Sequence, residues 1–172
     1  MVSPTDQSGP RRWVRRVAAL LRRYPALGMT VQRAVRLFQP RFTAGVVGVL
    51  RHPQRQQVLL VEHVYHARTP WGLPGGWMNR GEDPSRTIER EFAEETGLQV
   101  RVVRPLLVVL GTKWHRHLDI VFLVEPVAAD QPIRLCDELL SYRWVSADDL
   151  PPLVSLHRRA IELALQDEPA AG

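Results

Sequence analysis

Cysteine occurs once in these 172 residues, at Cys136, and lysine once, at Lys113. A single cysteine excludes an intrachain disulfide and offers no zinc-ligand spacing, so a reducing, cytoplasmic setting is expected. No apolar run approaches the roughly 18 residues of a membrane span. The stretch from Val17 to Leu21 is too short for the core of a secretory signal, and no small-residue cleavage site follows it. No internal repeat is present. Acid is nearly missing from one region only. Residues 1–42 hold nine arginines and one acid, Asp6, a net of +8, whereas residues 43–172 carry fourteen basic and seventeen acidic side chains, a net of −3. The whole-chain charge of +5 conceals that split. The preference for arginine over lysine reads as compositional bias and is given no function.

The length suits one well-buried domain. A hydrophobic content of 45% with 24% charged residues is that of an ordinary globular protein. The charge split suggests a basic N-terminal arm, 1–41, ahead of a domain at 42–168, with 169–172 a frayed tail. Residues 1–10 read as disordered, having little to bury. From Arg11 the apolar residues Trp13, Val14, Val17, Leu20, Leu21 and Tyr24 recur at helical spacing, with Arg12, Arg15, Arg16, Arg22 and Arg23 on the other faces. Pro25 is expected to end this helix. A second, with Val31, Ala34, Val35 and Phe38 on one face, is expected from an N-cap at Thr30 to before Pro40. Such a stripe needs a cover: the protein's own body, a second copy in a homodimer, or an anionic membrane surface reached through residues 11–38. Nucleic acid is the weakest choice, since the body is acidic and no reader motif is present. An organellar presequence also fits an arginine-rich, acid-poor amphipathic arm.

Beyond Phe42 the β-rich runs are Ala44–Leu50, Val58–Glu62, Gln99–Val103, Leu106–Leu110, Leu118–Val124 and a strand around Tyr142–Val145, with a terminal helix from Leu156 to Gln166. His63 to Pro70 reads as loop. With a helix after residue 83, the pattern argues for an α/β sandwich.

One stretch carries chemistry: Gly76 to Leu98, GWMNRGEDPSRTIEREFAEETGL. The preceding turn, Gly72-Leu73-Pro74-Gly75-Gly76, lets backbone approach a ligand closely. Asp83 can N-cap a helix with Pro84 at its first position, and Gly97 can end it. Glu91, Glu94 and Glu95, at i, i+3 and i+4, then share one stripe, with Ile88 and Phe92 beside it as core anchors. Three carboxylates so placed repel one another unless a cation lies between them, and hard oxygen donors suit Mg²⁺ or Mn²⁺. An acidic face solvated and neutralised by Arg86 and Arg90 is the plainer reading of the helix alone.

The spacing goes further. Gly76, Glu82, Arg90, Glu91, Glu94, Glu95 and Gly97 match position by position the box of the Nudix hydrolase family, with Phe92 where an aliphatic residue is commoner. Seven such identities would coincide by chance roughly once in 10⁸ to 10⁹ windows. The resemblance covers about residues 42–168. It implies an α/β/α sandwich with a mixed, partly antiparallel sheet, and Mg²⁺-dependent hydrolysis of a nucleoside diphosphate linked to another group. A binding or sensor module of the same fold that has lost catalysis is the alternative, though no box glutamate is missing.

By the same resemblance, Glu91, Glu94, Glu95 and the Gly75 carbonyl would hold metal, with Glu94 and Glu95 catalytic, while Glu82 and Arg90 form a bracing ion pair. Glu138, just before the Tyr142–Val145 strand, stands where the family often carries its base; Asp137 and a box glutamate compete for that role. Trp71, Trp77 and Trp114 are candidate walls for the substrate, and Arg68 a candidate phosphate contact. His115 and His117 face one side of a strand or turn, as a metal pair or as structural histidines. Subgroup markers for the substrate are missing. Thr112 stands where ADP-sugar hydrolases carry proline, and Trp114 near the tyrosine of dinucleoside polyphosphate hydrolases. The coenzyme A and NADH signatures are absent. Gly75-Gly76-Trp77 resembles members acting on CDP-linked compounds.

Overall fold

A computed structural model of the chain describes residues 12–111 and 116–166. Trp114, His115 and Thr112, the first ten residues and the tail after 168 lie outside the described residues, as does the side chain of Val31. The chain divides into two compact units, Met1–Arg41 and Phe42–Gly172.

The first unit is helical. Helix α1 spans Arg12–Arg23 and α2 spans Pro25–Phe38. Pro25 does end α1, but it also begins α2, so the second helix starts well before Thr30. Proline is compatible with the first helical position because the amide hydrogen it lacks would be unpaired there anyway. No residue of α1 is buried.

The second unit holds seven strands: β1 Thr43–Leu50, β2 Gln57–His63, β3 Trp71–Gly72, β4 Gly75–Trp77, β5 Val100–Leu110, β6 His117–Pro126 and β7 Leu139–Ser146. A four-stranded sheet runs β4-β1-β6-β5, and a three-stranded sheet runs β3-β2-β7. The first is mixed: β1 is parallel to β6 and antiparallel to β4. The second is wholly antiparallel. The expected mixed sheet is therefore joined by a second one. The two runs expected around Pro105 are one strand, β5, whose register slips on both sides of that proline. Proline cannot donate to a ladder, but a bulged edge strand accommodates it.

Helices α3 (Pro84–Thr96) and α4 (Ser155–Gln166) complete the sandwich. The α3 boundaries follow the local chemistry. The Asp83 carboxylate accepts from the Ser85 amide at 2.8 Å, Pro84 takes the first turn, and Gly97 at φ 72° closes the helix in the left-handed conformation. Ile88 and Phe92 are fully buried, in one core with Val46, Leu50, Leu59 and Phe122. Burying a side chain of that size contributes about 1.5–3 kcal/mol. A second core gathers Ala160, Ile161 and Ala164 of α4 against Val49, Leu60, Val121 and Val145. With its apolar face thus fixed, α3 turns Glu91 and Glu95 toward β4.

Candidate active site

The glycine turn and α3 meet at van der Waals distance. A Cβ on Gly76 would strike the Glu91 carboxylate, and one on Gly75 would strike the Val46 carbonyl. Glycine is thus required here for space, as expected from the sequence. The Gly75 amide donates to Glu95 Oε2 at 2.9 Å. Glu95 is only 9% exposed. Burial pushes its carboxyl up to about 7, against the lowering effect of the Gly75 amide; the neighbouring Glu91, Glu138 and Glu94 push the same way as burial. Burial also raises Glu91, while Arg90 opposes it.

Arg90 is the hub. Its guanidinium grips Glu82 with two hydrogen bonds, Nε to Oε1 at 2.9 Å and an NH2 to Oε2 at 3.1 Å. The other terminal nitrogen donates to Glu91 Oε1 at 2.8 Å and Glu94 Oε2 at 2.9 Å, and the first also reaches the Trp77 carbonyl at 3.3 Å. The Arg90 bonds, with the Asn79 amide next in weight, hold the Glu82 carboxyl down at about 2. Arg90 itself is held well above its ordinary value, first by Glu82. The bridge between loop and helix anticipated from the sequence therefore exists, and it extends to two of the three stripe carboxylates.

The last turn of α3 places Glu138. The final carbonyls of a helix lack intrahelical partners. Here the Arg134 amide donates to the Thr96 carbonyl at 2.8 Å and the Cys136 amide to the Glu95 carbonyl at 3.1 Å, laying residues 134–138 along the helix end. The Glu138 carbonyl accepts from the Val64 amide at 3.0 Å. The Glu138 carboxylate is exposed, and it lies near enough to Glu95 to raise it.

The remaining sequence candidates are spread around this centre. Trp77 is 57% exposed, with its ring 4.7 Å from that of His117. His117 is held between Thr43 Oγ1 at 2.9 Å and Asp119 Oδ1 at 3.2 Å, which fits the structural reading of that histidine. Trp71 packs against the α4 core and carries the Arg143 guanidinium carbon 4.0 Å over its ring. Arg68 is exposed in the loop between β2 and β3. Sequence reading missed the histidines behind the glycine turn. His157 Nδ1 accepts from the Leu73 amide at 3.2 Å, His63 lies 4.8 Å from His66, and a Cβ on Gly72 would touch both His63 and His157. Burial takes both His63 and His157 down to about 4, so they are neutral supports. They come from β2 and α4, and no local spacing signals their meeting. Two grooves of about 560 and 440 Å³, lined by the loop Arg51–Gln56, open at the other end of β1 and contain none of these carboxylates.

The donor set suits a hard divalent cation. Glu91 Oε2, Glu94 Oε1 and Glu95 Oε1 have no hydrogen-bond partner among the described residues, and Gly76 lets backbone lie directly against Glu91. Among the described residues, no three His, Cys, Asp or Glu side chains stand close enough together to hold a metal ion by themselves. A Mg²⁺ ion at the stripe would need water and substrate oxygens to complete its shell.

A sandwich built on a glycine loop, a capped helix and a braced carboxylate stripe defines a class. The chain belongs to the Nudix family: the NUDIX domain model matches residues 41–164. Among curated proteins it is 38% identical over 115 residues to a CMP-5'-(N-acetyl-N-hydroxy-3-aminopropyl)phosphonate hydrolase of Streptomyces rubellomurinus, covering 64% of this chain and 55% of that one. It is 28% identical to an NAD-capped RNA hydrolase of Caenorhabditis elegans, covering 78% of this chain and 36% of that protein. The chain thus spans about a third to a half of these relatives' length. Of solved structures, a MutT NUDIX hydrolase from Burkholderia pseudomallei is 28% identical with a TM-score of 0.58, over 73% of this chain and 98% of that one. An ADP-ribose pyrophosphatase from Streptococcus suis, at 24% identity and a TM-score of 0.60, covers 72% of this chain and 90% of its own and shares the fold.

Proposed function

We propose that the domain beginning at Phe42 is a Mg²⁺-dependent pyrophosphohydrolase acting on a nucleoside diphosphate linked to a further group. The observation that carries this reading is the meeting of Glu91 and Glu95 with the glycine turn at Gly75 and Gly76, with Glu94 tied to Glu91 through Arg90. Glu91, Glu94, Glu95 and the Gly75 carbonyl would hold the ion, with Mn²⁺ able to replace it. Bound there, it would offset charge on the diphosphate oxygens, which is most of what phosphoryl transfer requires. Arg90 and Glu82 position the stripe by fixing Glu91 and Glu94 from one side.

Glu138 is the base in this reading. Its carboxylate takes a proton from water, the water oxygen bonds to phosphorus, and the bridging P–O bond breaks to release a nucleoside monophosphate and the phosphorylated partner. The hydrogen bonds at the end of α3 support this role, because they set Glu138 beside Glu95 without making it part of the stripe. The exposed Trp77 ring would face the base or the linked group, while Arg68 would meet a phosphate. Trp71, with Arg143 over it, would act as a wall rather than an open stacking plate. Trp114 remains a candidate substrate contact on the sequence alone.

Cytidylyl-linked compounds are the first class to test. Gly75-Gly76-Trp77 points to them, and one relative is named for a CMP-linked phosphonate. Chromatographic detection of released nucleoside monophosphate, with Mg²⁺ over CDP-alcohols, nucleotide sugars, dinucleotides and oxidised nucleoside triphosphates, tests the proposal. Turnover of at least one class is expected. Tight binding of a nucleotide with no turnover of any would instead make the domain a sensor.

A further inference from the structure

We infer that helix α1 docks on an anionic lipid surface and makes this a peripheral membrane enzyme. The inference rests on the arm alone and stands whatever substrate the domain takes. At 100° per residue, Leu20, Trp13, Val17, Leu21, Val14 and Ala18 fill an arc of about 160°, and all five arginines of α1 fall in the opposite arc. No acid lies on either helix of the arm. Trp13 is 62% exposed, Leu20 49% and Phe38, at the end of α2, 90%. Among the described residues, none of Arg12, Arg15, Arg16, Arg22 and Arg23 forms an ion pair.

Charge argues against pairing one arm with another. Pairing two arms would set a net +8 against a net +8, with one acid, Asp6, in each to relieve it. Helices that cover a protein core usually carry both signs on the outer face, for solubility and for i to i+4 pairs. An anionic bilayer matches both halves of this helix: its interface accepts Trp, Tyr and Leu, and its phosphates accept the flanking arginines, whose long stems can reach back to them. At 1.5 Å per residue α1 is about 18 Å long, against a hydrocarbon core of about 30 Å. Among the described residues no helix is long and apolar enough to cross a membrane. The helix therefore lies in the plane of the interface.

Flotation of the full chain with phosphatidylcholine vesicles, with and without phosphatidylglycerol, at low and high salt, tests this. Binding is expected only with phosphatidylglycerol, falling at least about tenfold in high salt as the charges are screened. Leu20→Asp, and independently the double variant Arg15→Gln with Arg16→Gln, should each lower it at least about tenfold with an unchanged circular dichroism spectrum. Light scattering and a nucleic-acid shift assay run on the same samples. Equal flotation with neutral vesicles, or none with either, overturns the inference. A dimer that Leu20→Asp dissociates, without flotation, would identify the cover as a second copy. A shift with nucleic acid alone would identify it as nucleic acid.

Discussion

Arg90 and the arginines of α1 are the same side chain in opposite settings, and the contrast separates what each region is built to do. Arg90 sits within hydrogen-bond reach of Glu82, Glu91 and Glu94 and of one backbone carbonyl. Its charge is used up inside the fold, holding the carboxylate stripe against the glycine turn. The α1 arginines have no acid on their helix and stand beside an exposed apolar arc. Their charge is left for something outside. A guanidinium enclosed by acids is a brace, whereas a row of them beside exposed tryptophan and leucine is what the proposed docking surface would use.

The contrast can be pressed by variants, beginning with the largest effect. Glu138→Gln should lower turnover by about 10² to 10⁴ while leaving metal affinity nearly unchanged, as expected of a base outside the ligand set. Titration of Mn²⁺ beside steady-state rates would show it, and normal turnover would return the role to a box glutamate. Arg90→Lys keeps the charge but loses the fork that grips Glu82. Turnover should fall about 10- to 100-fold, the usual effect of losing a partner behind metal ligands. Replacing Arg16 by Lys on α1 should change neither turnover nor flotation, because a docking surface needs only the charge.

A smaller effect concerns stability without metal. The folded carboxyl of Glu95 titrates at about 7, above its value of 4.5 in the unfolded chain. The folded state therefore binds the proton more tightly, and the penalty for burying the charge is absent below pH 4.5, grows through that window and is complete above pH 7. Glu95→Gln should stabilise the metal-free protein by about 1–3 kcal/mol at pH 8 and by little at pH 4. Urea unfolding at the two pH values measures the difference. Equal effects at both would mean that the buried charge is not what Glu95 contributes.

Much of the site was legible because its geometry is local. Asp83, Pro84 and Gly97 fix the ends of α3, and helix periodicity then puts Ile88 and Phe92 inward and Glu91, Glu94 and Glu95 on one stripe. The fork between Arg90 and Glu82 came from the family spacing and is present in the fold. Long-range features were harder to read. The support of the glycine turn by His63 and His157 depends on β2 and α4 meeting, which no local pattern encodes. The early start of α2 was hidden because Pro25 reads as a stop signal, although it is equally a start. Pro105 divided in the sequence a strand that the sheet edge keeps whole. The arm lies between these cases. Its periodicity is plain, but a pattern that faces outward names its partner only through chemistry.

The central claim is that catalysis resides in the carboxylate stripe and docking in the arm, each without the other. Turnover of the best substrate with Mg²⁺ and no lipid, measured for the full chain, Glu95→Gln and Leu20→Asp together, tests it most directly. Glu95→Gln should lose about 10²- to 10³-fold, the scale of removing one essential electrostatic contact, while Leu20→Asp should match the parent. Near-parental turnover in Glu95→Gln would contradict the account.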